Sequence, residues 1–324
     1  MIPEVFRSLV TPAWGWLGAV QEHVTETAQE HGAEAAAQSH GEVWDTEAMI
    51  HHIVDDRVID LGFTRFSLEG LSFPPIQVGS LEIDLSVTRH VVFLFMATIL
   101  TILTMWAAAR ASRKLEQGER APKGILNAME AFYLYLRDEV ALSNIGHGGE
   151  RFVPLVITFF FFILYSNLLG LVPFGATATG NINTTAALAI LAFVVIETAG
   201  FVALGARGYL GTIFYVPKGL NPAMSVIMLL IMTPVELIGK VAKPFALAVR
   251  LFANMTAGHF ALLALLGIII TSGSFAGFGG WFAILGPLLL ALFVMFLELF
   301  VAFLQAYIFA MLVAVFIGLI RHAH

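Results

Sequence analysis

Two apolar stretches, residues 222–271 and 282–320, run far past the roughly 20 residues that one perpendicular membrane crossing needs, and the first carries an arginine, Arg250, deep inside it. Arginine keeps its proton under all ordinary conditions. Placing it at the centre of a membrane helix costs about 2.5–3.5 kcal/mol on insertion scales. A chain that keeps a cation at this depth has to pair it or use it. Two readings fit: an ion-pair partner buried between helices, with Glu298 or Glu197 as the obvious acids, or a fixed cation facing a carboxylate that arrives and leaves.

The surroundings favour the second reading. Asn254 is one helical turn beyond Arg250 and shares its face. Ala253, Ala257 and Gly258 are small and permit close approach of another helix, and His259 follows at once. The second stretch carries Glu298 and Gln305, seven residues apart and so on one face. Glu236 precedes Arg250 by fourteen residues, a rise of about 21 Å with nearly the same facing. His259 lies nine residues beyond Arg250, turned to the opposite side. Glu236 and Lys240, four apart, can pair on one face.

The rest of the chain sorts by charge and hydropathy. With 58% hydrophobic and 12% charged residues, against about 25% charged in soluble domains, this is an integral membrane protein. The net charge of −6 conceals an acidic front and a basic remainder. There is no basic patch with interleaved aromatics, so nucleic acid is not expected as a partner. The chain has no cysteine, hence no disulfide or thiolate site. Residues 1–88 form a polar, acidic segment, with residues 1–22 reading better as an amphipathic stretch than as a signal peptide. His23, His31, His40, His51 and His52 are irregularly spaced and read as a solvated segment, not a metal site. Alternating apolar residues before 88 (Leu81, Ile83, Leu85, Val87) suggest short strands or an irregular cap.

Residues 89–324 are expected to be the membrane domain, with helices over about 91–109, 153–172, 184–204, 222–271 and 282–320. An amphipathic helix over about 127–141 is expected to lie at the inner surface. Arg110, Arg113, Lys114, Arg120 and Lys123 mark a cytoplasmic loop by the positive-inside rule. That places residues 1–88 outside and the C-terminus in the cytoplasm. The loop 174–183 holds no Lys or Arg and fits the outer side. The expected fold is therefore an all-α polytopic membrane protein, with about three transmembrane helices and two long tilted helices forming a hairpin. Glu197, inside the third helix, suggests a hydrogen bond to a hydroxyl or water there.

Three blocks carry a family resemblance. Arg250-Leu-Phe-Ala-Asn-Met-Thr-Ala-Gly-His259, Leu304-Gln305-Ala306-Tyr307-Ile308-Phe309 and Ser166-Asn167-Leu-Leu-Gly-Leu-Val-Pro173 resemble, in order, the motifs of the membrane subunit a of F-type ATP synthases. The resemblance covers residues 90–320. It implies a stator that offers two offset proton half-channels to a rotating ring of carboxylate-bearing hairpin subunits, with no nucleotide site or cofactor of its own. The implied partners are the c-ring, subunit b of the peripheral stalk, the rest of the F1Fo complex and the bilayer of a bacterial inner membrane. By match to the motifs, Arg250 is the essential arginine, with Asn254 and Gln305 around it. His259 and Glu298 form the outer pair, with Asn167 on its wall, and Glu236 stands in the inner half-channel. The His259–Glu298 order is that of mitochondrial-type members, and Ala246 stands where several bacterial members have serine. The competing reading is an ion-coupled secondary transporter with a midplane charge cluster, but the internal repeat such folds usually show is absent between residues 90–200 and 220–320.

Overall fold

The computed structural model describes residues 58–60, 65–67, 76–78, 81–83, 86, 88–116, 125–172, 175, 177–214, 221–272 and 278–321. The amphipathic stretch 1–22, the five histidines before residue 57, Arg120, Lys123, Pro173, Lys218 and most of the turn between the two long stretches lie outside them. Among the described residues, strands occur only ahead of the membrane portion. They are two antiparallel hairpins, β1 (Val58–Asp60) with β2 (Arg65–Ser67) and β3 (Ile76–Val78) with β4 (Leu81–Ile83). Their registers pair Ile59 with Phe66 and Gln77 with Glu82.

Among the described residues, every regular element after them is a helix. The elements are α1 (Arg89–Glu116), α2 (Ile125–Tyr135), α3 (Val153–Leu171), α4 (Ile182–Ile213), α5 (Pro222–Ser272) and α6 (Phe278–Arg321). Five of them are long and apolar enough to cross a membrane. Helix is the form expected of an open chain there, since it satisfies every backbone donor and acceptor internally. Local signals set the starts. Pro154 occupies the first turn of α3, where a missing N–H costs nothing. Asn181 caps α4 by accepting from the Asn183 amide at 2.9 Å.

α5 and α6 have 51 and 44 residues, or about 75 and 65 Å along their axes at 1.5 Å per residue. Neither can stand perpendicular within a hydrocarbon core about 30 Å thick. They pack on each other, and α6 packs on α3. A ridge of small residues makes this possible. Ala302, Ala306, Ala310 and Ala314 recur every four residues on α6 and are fully buried. Gly318 continues the ridge, and a side chain there would run into the Asn144 carbonyl. On the other side of α6, Phe293, Phe296 and Phe300 are exposed, as a lipid-facing surface requires.

α2 carries on through a π-helical turn, Leu136–Leu142, into Ser143–Ile145. Met129, Phe132 and Tyr133 of α2 are half-buried against the bundle, and the continuation buries Leu136, Val140, Ala141 and Ile145. The Phe132 ring lies 5.4 Å from Phe160 and 5.9 Å from Phe303, joining α2 to α3 and α6.

A break, not an end, falls in α4 near Leu204. Gly205 takes φ 67°, ψ 173° inside the helix, a conformation that glycine adopts at little cost. In a straight helix Glu197 and Tyr209, twelve residues apart, would stand about 18 Å from each other. Here the Tyr209 hydroxyl donates to the Glu197 carboxylate. The break therefore folds the last turns of α4 back on its middle. A single apolar count along the sequence could not separate such a break from a terminus.

Candidate functional site

Arg250 projects outward from the chain. Leu247, Ala248, Leu251, Phe252 and Met255 are buried on the inner side of α5, while Ala246, Arg250, Ala253, Ala257 and Ala261 are exposed in one stripe. Neither acid considered as a partner is joined to Arg250. Glu197 pairs with Lys240 at 3.0 Å, and Glu298 packs against Gly258. Among the described residues no hydrogen bond or ion pair reaches Arg250. Asn254 is half-buried beside it on α5, and Gln305 is buried on α6. No hydrogen bond joins either to Arg250 among the described residues.

Toward the C-terminal end of α5 lies a cavity of about 360 Å³. Its polar lining comes from Arg89 and His90 at the start of α1, Thr177 in the loop after α3, and Thr256 and His259 on α5. The Thr177 hydroxyl is hydrogen-bonded to His259 Nε2. A side chain at Gly170 would displace Thr177, so glycine there is what lets the loop reach the histidine. Glu298 sits three residues beyond the cavity-lining Met295. It is 3% exposed, and both of its carboxylate oxygens are buried without a protein hydrogen-bond partner. A Cβ at Gly258 would collide with this carboxylate, so Glu298 and His259 share one depth in the hairpin. The hydrogen bond of His259 goes to Thr177, and Glu298 lies beside the histidine's neighbour.

Asn167 holds the wall of this region together. Its side-chain amide donates to the Ala302 carbonyl at 3.3 Å, and its Oδ1 accepts from the Thr179 hydroxyl at 2.6 Å. It thus ties α3 and the loop to the turn of α6 between Glu298 and Gln305. Asn167→Ala is expected to lower the unfolding free energy by about 1–2 kcal/mol, two lost intramembrane hydrogen bonds at about 0.6 kcal/mol each plus a small void. Thermal denaturation in detergent measures this.

At the other end of α5 a second cavity, about 130 Å³, is lined by Glu236, Lys240 and Lys243 together with Glu197 and Thr212 of α4. From α5, the small cavity reaches no further than Leu247, and the large one begins at Thr256. Nine residues, about 13 Å of helix, separate them, and Arg250 lies in that interval. The cavities share no lining residue. The arrangement provides two pockets holding titratable groups at different levels along α5, with an outward-facing cation between those levels.

Sequence reasoning passed over Thr177, Arg89, His90 and Tyr209. The hydroxyls of the 174–183 loop were visible only as an uncharged stretch, and Arg89 only as a helix boundary. No local pattern says which of them folds over His259. The lysine partner of Glu197 was equally invisible, because it comes from another helix.

The model of the family described as ATP synthase A chain matches residues 91–318. An ATP synthase subunit a of Chloroherpeton thalassium is 44% identical over 272 residues, 83% of this chain and 75% of the relative. One of Chlorobium phaeobacteroides (strain BS1) is 40% identical over 308 residues, 94% and 85% of the two chains. An ATP synthase subunit a 2 of Prosthecochloris aestuarii is 41% identical over 316 residues, 97% and 92%.

Proposed function

Given that the chain belongs to the ATP synthase A chain family and is an integral membrane protein of the Fo sector, we propose that it is the stator that passes protons to and from a rotating ring through two half-paths that never meet. What carries this reading is the interval on α5, where the two cavities stop on either side of Arg250.

The partner is a ring of small helical hairpins, each with one carboxylate, docked on the exposed stripe Ala246–Ala261. Alanines there let ring helices come close, and Arg250 is the single charge on that stripe. A neutral carboxylic acid can travel through lipid; an ionised one cannot, because of its desolvation cost. Facing Arg250, the ring carboxylate is favoured in its ionised form and releases its proton. On the outer side, protons pass the cavity lined by Arg89, His90, Thr177 and His259 and reach Glu298. Asn167 fixes the helices around that acid. On the inner side Glu236 exchanges protons with the cytoplasm. Asn254 and Gln305 line the neighbourhood of the arginine. As a permanent cation between the half-paths, Arg250 repels a proton that would cross directly. Each charge moved through 100 mV is worth about 2.3 kcal/mol, and rotation delivers it to the catalytic head. The peripheral stalk holds the chain still, with residues 1–88 outside and the C-terminus inside a bacterial inner membrane.

The absence of cysteine makes a direct test available. Lys243→Cys and Leu263→Cys place one thiol in each cavity. In membranes with the assembled complex, a membrane-impermeant thiol reagent is expected to label position 243 only from the cytoplasmic side and 263 only from the outside. Labelling of both from one side would sink the two-path reading. Glu236→Gln is expected to slow ATP-driven pumping by about 10²-fold, the ordinary loss when a proton-transfer group is removed. Quenching of a pH-sensitive dye in inverted vesicles reads it out.

A further inference from the structure

Glu236 and Lys240 stand one helical turn apart and line the same cavity, the arrangement in which a Glu–Lys pair forms on a helix. The structure does not form it. Lys240 turns to α4, with its Nζ 3.0 Å from Glu197 Oε2, 3.5 Å from the Tyr209 hydroxyl and 4.5 Å from the centre of the Tyr209 ring. The Tyr209 hydroxyl is itself hydrogen-bonded to Glu197. The lysine side chain is 8% exposed and that of Glu197 17%. The other cavity lysine, Lys243, lies over the Phe316 ring of α6 at 5.1 Å. Both cations of the cavity are thus held away from Glu236, which among the described residues has no ion-pair or hydrogen-bond partner. The remaining lining from α6 is Phe316, Leu319 and Ile320, all uncharged.

We infer that Glu197 and Tyr209 are positioning residues for proton transfer: they sequester Lys240 so that Glu236 stays unpaired and exchanges protons freely. The break at Gly205 is what brings Tyr209 back to complete the clamp. A lysine released from it would find Glu236 four residues away and hold it ionised. A carboxylate bound to a cation at about 4–6 Å has its protonation balance displaced by tenfold or more. The inference rests on the role given to Glu236 above.

The test is ATP-driven pumping in inverted vesicles carrying the whole complex, with assembly checked by copurification of the ring. Glu197→Gln is expected to lower the rate by about tenfold, because Lys240 moves to Glu236. Glu197→Gln with Lys240→Gln is expected to recover most of it, since the competing cation is gone. An anchoring role predicts the reverse: removing both ends of the bridge does no better than removing one. Wild-type pumping in Glu197→Gln, or no recovery in the double variant, overturns the inference. If Glu197→Gln does not assemble, Tyr209→Phe loosens the same lysine while keeping the ion pair. A several-fold loss relieved by Lys240→Gln supports the inference there, and a loss that is not relieved overturns it. Glu236→Gln, measured alongside, separates the two ideas. If it pumps normally, the role of Glu236 as inner relay fails. If it is impaired while Glu197→Gln is not, only the clamp fails.

Discussion

Arg250→Ala is expected to abolish ATP-driven proton pumping in the assembled complex and to change the passive proton conductance of membranes stripped of the catalytic head, while the complex itself still assembles. Arg250 is exposed and has no hydrogen-bond or ion-pair partner among the described residues, and its neighbours on the stripe are alanines. Its removal therefore leaves no buried group unpaired and opens no void in the core. The membrane-insertion cost of about 2.5–3.5 kcal/mol that arginine carries is relieved, not increased. What is lost, on the proposed mechanism, is the cation that favours the ionised form of the arriving carboxylate and keeps protons from crossing between the cavities. Pumping measured by dye quenching, leak measured after head removal and ring copurification give the three readouts. Near wild-type pumping would reduce Arg250 to a structural residue and remove the basis of the mechanism.

Glu298→Gln is expected to slow pumping and synthesis by about 10²-fold without raising the leak, the ordinary consequence of removing one proton-transfer group. The substitution keeps shape and size, so packing against Gly258 survives. It replaces a group that can bind and release a proton with one that cannot. The carboxyl is buried three residues beyond the cavity-lining Met295, with both oxygens unpartnered by protein among the described residues. In that setting no partner offsets the cost of burying the group, which suits the proposed proton-passing role better than that of a helix anchor. On the proposed mechanism Arg250→Ala is expected to change the barrier between the paths, whereas Glu298→Gln is expected to interrupt one path. A variant in which leak rises along with the loss of pumping would show that Glu298 seals the hairpin instead of conducting through it.

Much of this molecule is legible from residues alone. The bilayer permits few spanning structures, so apolar runs of known length translate almost directly into the five long helices, and charge marks their ends. Arg250, Asn254, His259, Glu298, Gln305, Asn167 and Glu236 stand out because a polar residue in such a run is costly and therefore conspicuous. Of the alternating residues ahead of α1, where the sequence left short strands or an irregular cap open, Leu81 and Ile83 fall in β4, and Leu85 and Val87 lie outside the described residues. For Glu197 the sequence suggests a hydroxyl or water within 184–204, whereas the hydroxyl that bonds it, Tyr209, lies past that span beyond the break at Gly205.

Partner choice was decided only in three dimensions. Lys240 reads along α5 as the partner of Glu236, yet it bonds Glu197. His259 reads as the partner of Glu298, yet its hydrogen bond goes to Thr177. Arg250 reads either as a buried ion-pair partner or, as its surroundings favour, as a cation open to a partner, and the structure leaves it exposed. In each case the local spacing defines a face of one helix and says nothing about the rotation and register of the helix or loop opposite. Those are set by the alanine ridge of α6, by close approach at Gly258 and Gly170, and by the break at Gly205. Composition and periodicity determine that a helix forms and which groups it carries; the packing of small residues between helices determines which of those groups meet.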